Sequence, residues 1–176
     1  MSFFGDDSAV EQQGLVEALV LDGKGGAHKV LRADIDSIVL QPHETLWLHW
    51  DRSHAQTQTW LRNDSGLNEF ACDLLLEEST RPRVVSVKQD QLLLFLRGIN
   101  LHPGAEPEDM ISLRIFSEAQ RVISLRLRPL RARVDVSNEL LAGKGPISSA
   151  ALVLRLAELM TEKIDPVITQ LAEIVD

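Results

Sequence analysis

A strict alternation of apolar and other side chains over residues 110–128 constrains the fold of this chain most strongly. The stretch reads MISLRIFSEAQRVISLRLR, and large aliphatic residues occupy every second position on both sides of its centre: Ile111, Leu113, Ile115, Ile123, Leu125 and Leu127. A period of two predicts two strands of a β-hairpin with one buried face. From residue 130 onward the apolar period is helical, so the chain must combine a sheet with helices.

The remaining segments follow the same two periods. We predict strands over 15–21, 27–33 and 45–50, two more within 79–100 that meet near Gln89 and Asp90, and helices over 51–61, 67–78, 130–142 and from 148 onward. DGKGG at 22–26 has the composition of a turn. Ser53 and Gln56 have the spacing of a capping box at a helix start. This order of elements predicts an α/β (α+β) domain with a mixed sheet covered by helices.

Charge and cysteine content exclude several classes of protein. The net charge is −8, although residues 81–133 carry a net +5. A nucleic-acid-binding domain is more often basic overall, so no nucleic-acid partner is expected. The single Cys72 excludes a disulfide framework and a cysteine-based zinc site within one chain. We expect this thiol to be buried and inert, because it lies beside an apolar helix face.

Membrane-spanning and catalytic signatures are missing from the sequence. No run approaches the roughly 18–20 apolar residues that cross a bilayer, and the N-terminus lacks a signal-peptide pattern, so a soluble, cytosolic chain is expected. DGKGGA lacks the spacing of a phosphate-binding P-loop. There is no G-x-S-x-G or H-E-x-x-H sequence. An enzyme is therefore not expected.

One cluster of residues has the chemistry of a metal site. In LHWDRSH, His49 and Asp51 lie two apart on a predicted strand and share a face, and His54 follows at a helix start. Imidazole with carboxylate suits zinc better than magnesium. The alternative is structural: Asp51 caps the helix and His54 is an ordinary first-turn residue. No tightly bound cofactor is expected; zinc or another divalent cation is the candidate ligand.

The C-terminal helical pattern continues without a stop signal. Large apolar residues recur at intervals of three and four, which is the spacing of an oligomer seam: Met160, Ile164, Val167, Leu171 and Ile174. The alternative, packing onto its own domain, is favoured for 152–160. Pro166 predicts a kink, or a break after which Asp165 caps a new helix. In a single copy, the carboxylates on the polar side form an ordinary solvated face, whereas in an assembly around an axis they would form cation-attracting rings: Glu158, Glu162, Asp165, Glu173 and Asp176.

Several segments together resemble the cytoplasmic domain of the CorA family of divalent-cation transporters, in particular its ZntB zinc-transport branch. They are LVLDGKGGA (19–27), LWLHWDRSHAQTQTWL (46–61), ESTRPRV (78–84), LRGIN (96–100), RVISLRLRPLRA (121–132) and GPISSAALVLRLAELMTEKIDPVI (145–168). ESTRPRV and LWLHWD are the more specific of these. The Gly-rich turn alone is not specific.

The resemblance implies a three-layer α/β/α sandwich at 1–146 and the start of a long stalk helix at 147–176. It also implies a homopentameric funnel on the cytoplasmic side of the bacterial inner membrane, whose acidic vestibule gathers zinc or other divalent cations and whose metal binding regulates transport. The family's Gly-Met-Asn pore signature does not occur here. We therefore expect a chain interrupted inside the stalk. The alternative is a standalone protein-interaction domain that uses the C-terminal apolar helix.

Overall fold

The computed structural model describes residues 13–78, 81–99, 110–160 and 173–174. Its strands are β1 (Leu15–Leu21), β2 (Ala27–Lys29), β3 (Thr45–Asp51), β4 (Arg83–Lys88), β5 (Gln91–Ile99), β6 (Met110–Glu118) and β7 (Arg121–Arg126). Its α-helices are α1 (Ala55–Asn63), α2 (Glu69–Leu76), α3 (Arg131–Leu141) and α4 (Ser149–Met160), and a short 3-10 helix spans Arg32–Asp34.

The strands form one sheet in the order β2-β1-β3-β7-β6-β5-β4. Neighbouring strands are antiparallel except β3 and β7, which run parallel and pair His49 with Ser124. The predicted mixed sheet is thus confirmed. Asp90 adopts a φ of +64° in the turn between β4 and β5, where the sequence predicts the junction of these strands.

Helices cover both faces of the sheet. One apolar core lies between the sheet and helices α3 and α4; it contains Trp47, Leu113, Val136 and Leu156. The other lies between the sheet and helices α1 and α2; it contains Trp50, Trp60, Phe95 and Phe116. This is the three-layer α/β/α arrangement that the resemblance implies.

The hairpin formed by β6 and β7 departs from the prediction of one buried face. Arg114, Phe116 and Ser124 are buried as well as the aliphatic residues that alternate with them. The reason is position: β6 and β7 lie inside the sheet, so each of their faces meets a helix layer. The alternation distinguishes the two cores here and does not separate core from solvent.

Two predicted boundaries differ from the observed ones by four residues, more than any of the others. The return strand expected at 27–33 ends at Lys29, and a 3-10 helix follows at Arg32–Asp34. Helix α1 begins at Ala55, and its N-cap is His54, whose side chain accepts a hydrogen bond from the Gln56 amide. The capping box predicted from Ser53 and Gln56 therefore does not form.

Helix α4 packs on the domain core. Leu152, Val153, Leu156 and Ala157 are buried against the sheet, which matches the packing alternative for 152–160. Gly98 allows this approach: a Cβ at Gly98 would lie 2.3 Å from the carbonyl oxygen of Met160.

Candidate functional site

His49 lies in a buried polar cluster beneath α3. Its Nδ1 is 2.6 Å from the hydroxyl of Ser124, which also accepts a hydrogen bond of 3.0 Å from the Trp47 indole. Arg133 of α3 pairs with Glu17 of β1 at 3.3 Å. Burial, together with the charges of Arg133 and Arg126, lowers the pKa of His49 well below 6.5. The imidazole is therefore neutral at physiological pH.

The other two residues of the predicted metal site are engaged elsewhere. The carboxylate of Asp51 accepts from the Ser53 amide at 2.9 Å and lies 4.0 Å from the Arg126 guanidinium. The Nδ1 of His54 accepts from the Gln56 amide at 3.1 Å, which caps α1. Both side chains therefore have local structural roles, but the roles differ from the predicted alternative, because His54 and not Asp51 caps α1.

The structure therefore does not assemble His49, Asp51 and His54 into a metal site. Across the described ranges, no group of three His, Cys, Asp or Glu side chains lies close enough to hold a metal ion. The physical reason is that each side chain already serves the fold: His49 in the α3-facing core, Asp51 in the turn after β3, and His54 at the start of α1.

The acidic face of the C-terminal pattern is described at two positions. Glu158 is exposed on α4 and pairs with Arg155 at 3.4 Å. Arg155 also holds Glu139 of α3 at 2.6 Å, and this hydrogen bond raises the pKa of the guanidinium. The charge of Glu158 is thus partly offset. Glu173 is exposed, whereas Glu162, Asp165 and Asp176 lie outside the described residues.

The predicted oligomer seam is described at Met160 and Ile174. Met160 is 5% exposed within its own core, so it is not available to a second copy. Ile174 is 43% exposed and shares a cavity with Ser149 and its neighbours. Ile164, Val167 and Leu171 lie outside the described residues, and a break near Pro166 remains a prediction.

Buried arginines are polar features that the sequence analysis does not anticipate. Arg114 is 2% exposed and donates to the carbonyl oxygens of Leu75 and Glu78 at 2.9 and 3.4 Å. The Leu75 carbonyl lies in the last turn of α2, where the helix dipole favours a cation, and the Glu78 carbonyl lies just beyond the end of the helix. Burial lowers the pKa of Arg114 to about 10, so it remains charged at neutral pH. In the sequence, only the position of Arg114 within the alternating stretch 110–128 points to its burial.

An open cavity of about 530 Å³ lies at the end of the sheet where β3 and β7 begin. Its apolar wall comes from Ile35, Ile38, Leu40 and Leu46, and its polar rim from the β4–β5 and β6–β7 turns and adjoining strand ends. Segments distant in sequence build this cavity, which we call the hairpin groove. Sequence periodicity therefore cannot reveal it.

Cys72 is 1% exposed, and burial raises the pKa of its thiol, in agreement with the predicted inert cysteine. The Gly-rich turn is also confirmed, since Asp22 accepts from the amides of Lys24 and Gly26. Within the part of the chain that the structure describes, no helix has the length and apolar character needed to cross a membrane.

Comparisons with known proteins agree on one family. A family model described as CorA-like Mg2+ transporter protein matches residues 43–176. The divalent cation transporter CmaX of Pseudomonas aeruginosa is 52% identical over 166 residues, which cover 94% of this chain and 50% of that protein. The zinc transport protein ZntB of Pectobacterium carotovorum is 32% identical over 172 residues, which cover 98% of this chain and 50% of that protein.

Solved structures give the same result. The structure of full-length CmaX matches with a TM-score of 0.82 and 53% identity, over 93% of this chain and 50% of that one. The crystal structure of the ZntB cytoplasmic domain from Vibrio parahaemolyticus matches with a TM-score of 0.69 and 30% identity, over 84% of this chain and 57% of that one. The chain spans about half the length of the curated relatives it matches.

Proposed function

Because the chain belongs to the CorA-like family of divalent-cation transporters, we propose that it is the cytoplasmic domain of a zinc or other divalent-cation transporter of the bacterial inner membrane. The match to the family model over 43–176 carries this proposal. The fold supports it, because the sandwich is similar to a ZntB cytoplasmic domain. In this proposal the domain performs no catalysis, and zinc is cargo.

The domain's contribution to transport is electrostatic. Copies of the chain assemble as a homopentamer around the permeation axis, and the carboxylates of the C-terminal segment face the entry vestibule. A cleft lined by one sign of charge raises the local concentration of counter-ions and their rate of entry by ten-fold or more. The net charge of −8 and the exposed Glu158 and Glu173 support this role.

Neutralising the acidic face in the reconstituted full-length protein tests the vestibule. The variant carries Glu158→Gln, Glu162→Gln, Asp165→Asn, Glu173→Gln and Asp176→Asn. At about 0.01 M salt, where charges act over about 30 Å, we expect zinc flux into vesicles to fall about ten-fold. At 1 M salt the difference should disappear, because the screening length is about 3 Å.

A matched control removes five carboxylates from the opposite helix layer and its loops: Asp34→Asn, Asp64→Asn, Glu69→Gln, Asp73→Asn and Glu78→Gln. These residues are exposed. Each variant loses five carboxylates, so both variants have the same net charge. The control should transport zinc at nearly the native rate. Equal losses in both variants would show a general effect of net charge and would remove the vestibule from the account.

Metal sensing is a separate part of the proposal. Cations that bind between carboxylates of neighbouring copies would favour one transport state over the other, as any ligand with differential affinity does. Titration of the chain with zinc and with magnesium should raise its unfolding free energy by about 2.7 kcal/mol at 100 times Kd. No binding and no change in stability would remove sensing and leave the transport proposal intact.

A further inference from the structure

Two surfaces at the same end of the sheet combine exposed apolar side chains with opposite charges. The first is the hairpin groove, whose apolar wall includes Ile38 and Leu40. Val39 lies between them in sequence and is 87% exposed. The groove and Val39 together form an apolar surface that the described part of this chain leaves accessible to solvent.

The rim of the groove is acidic. Arg121 donates to Glu118 at 2.6 Å, so these two charges offset each other. Asp90 is the remaining charged group on the rim; it is exposed and held by the left-handed backbone of the β4–β5 turn. A fitting occupant therefore offers apolar side chains beside one positive charge.

The end of α3 and the linker that follows it have this composition. Leu141 and Ile147 are 51% and 58% exposed, and the exposed Lys144 lies between them in sequence. We call these three residues the linker knob. No other partner is needed to explain the groove's chemistry, because the chain itself carries the complementary surface.

The linker knob is held in place by the fold. Gly143, with a φ of +77°, ends α3, and the Lys144 amide donates to the Glu139 carbonyl at 2.9 Å. The Gly145 amide donates to the carbonyl of Gly25 in the β1–β2 turn at 2.8 Å. A surface that is ordered before binding loses little conformational entropy on contact.

The two surfaces lie on opposite faces of the sandwich. Ile38 and Leu40 pack on the core beneath α1 and α2, whereas Leu140, near the end of α3, belongs to the core beneath α3 and α4. A knob and a groove on different faces make a head-to-tail contact between copies, and such contacts form a ring when the rotation between neighbours closes.

We propose that the linker knob of one copy docks in the hairpin groove of the next, with Lys144 of one copy facing Asp90 of its neighbour. This inference rests on the self-assembly in the proposed function and adds the contact through which neighbouring copies meet. One knob buries less surface than the roughly 1,000 Å² of a stable interface. The contact therefore forms where other parts of the full-length protein hold the copies together.

Disulfide crosslinking in the full-length protein tests the contact, with all other cysteines removed. The variant with Val39→Cys and Ile147→Cys should give a ladder of linked subunits on oxidation. A mixture of the two single variants should give dimers, and each single variant alone should give none. A disulfide formed only within one copy, which leaves the product at monomer size, overturns the proposal. The absence of any disulfide-linked product also overturns it. Dimers from Val39→Cys alone overturn it too, because they show a symmetric contact.

Charge reversal tests the role of the Lys144–Asp90 pair in the same crosslinking assay. Asp90→Lys should reduce the linked fraction about five-fold, and adding Lys144→Asp should restore it. Lys29→Asp, at another exposed lysine, is the control and should leave the fraction unchanged. Failure of the double reversal to restore crosslinking overturns the pairing.

Light scattering of the unmodified full-length protein separates the two levels of the proposal. If the protein is oligomeric and the cysteine pair does not link, this contact is wrong and self-assembly stands. If the protein is monomeric, both are wrong.

Discussion

Acid should destabilise this domain through one buried histidine. The His49 pKa lies well below 6.5 in the folded state, first because the ring is buried and then because Arg133 and Arg126 are near. In the unfolded chain its pKa returns to about 6.5. Below that pH the unfolded state binds more protons than the folded state, so the free energy of unfolding decreases as the pH falls.

The size of the effect follows from linkage. At pH 5.5, protonation of His49 in the unfolded chain is worth about 1.4 kcal/mol if the folded ring stays neutral. Well above pH 6.5 the ring is neutral in both states, so His49 no longer makes the free energy of unfolding depend on pH. His49→Gln removes the titrating group and leaves a polar side chain near Ser124. The variant should be less stable at every pH, but it should lose about 1.4 kcal/mol less than the native chain on acidification.

Urea unfolding at pH 7.5 and 5.5 measures this difference. Trp47, Trp50 and Trp60 are buried, so their fluorescence reports the transition. The other histidines are present in both proteins, so their titration cancels in the comparison. Equal losses of stability in the native chain and in His49→Gln would refute the assignment of a neutral, buried His49.

Three further predictions concern named side chains. Arg114→Met should lower the free energy of unfolding by about 3 kcal/mol, because the carbonyls of Leu75 and Glu78 lose their charged donor. The control Arg62→Met, which breaks an exposed pair with Asp73, should lower it by at most about 1 kcal/mol. Equal losses in urea unfolding would contradict the role assigned to Arg114. Cys72 should resist a thiol reagent in the native chain and react in urea, since burial raises its pKa; rapid native labelling would refute this. His54→Asn should leave the affinity for zinc, measured by calorimetry, unchanged, because His54 caps α1 and Asn can take over that cap. Loss of zinc binding would restore the metal interpretation of His49, Asp51 and His54.

The sequence predicts the elements of this fold well where one period dominates. The strand at Leu15–Leu21 and the turn at Gln89 and Asp90 occur where the sequence predicts them. The hairpin predicted over 110–128 forms as β6 and β7 and ends at Arg126. Periodicity does not reveal how many layers surround a strand. For that reason the two-faced burial of Arg114 and Phe116 is missing from the prediction.

Site prediction is weaker, because residue chemistry in sequence does not fix side-chain engagement. His49, Asp51 and His54 have the composition of a zinc site, yet the pairing of His49 with Ser124 and the capping by His54 depend on strand order and on the start of α1. Met160 likewise fits an oligomer seam by spacing, but it packs in its own core. The hairpin groove joins segments more than 70 residues apart, which no local pattern encodes.

Transport by the full-length protein tests the central claim most directly. The protein that contains this chain should be purified and placed in vesicles that hold a fluorescent indicator for divalent cations. The account predicts entry of zinc or another divalent cation well above that in protein-free vesicles. Absence of flux for zinc, magnesium, cobalt, nickel and cadmium, with correctly inserted protein, would contradict it.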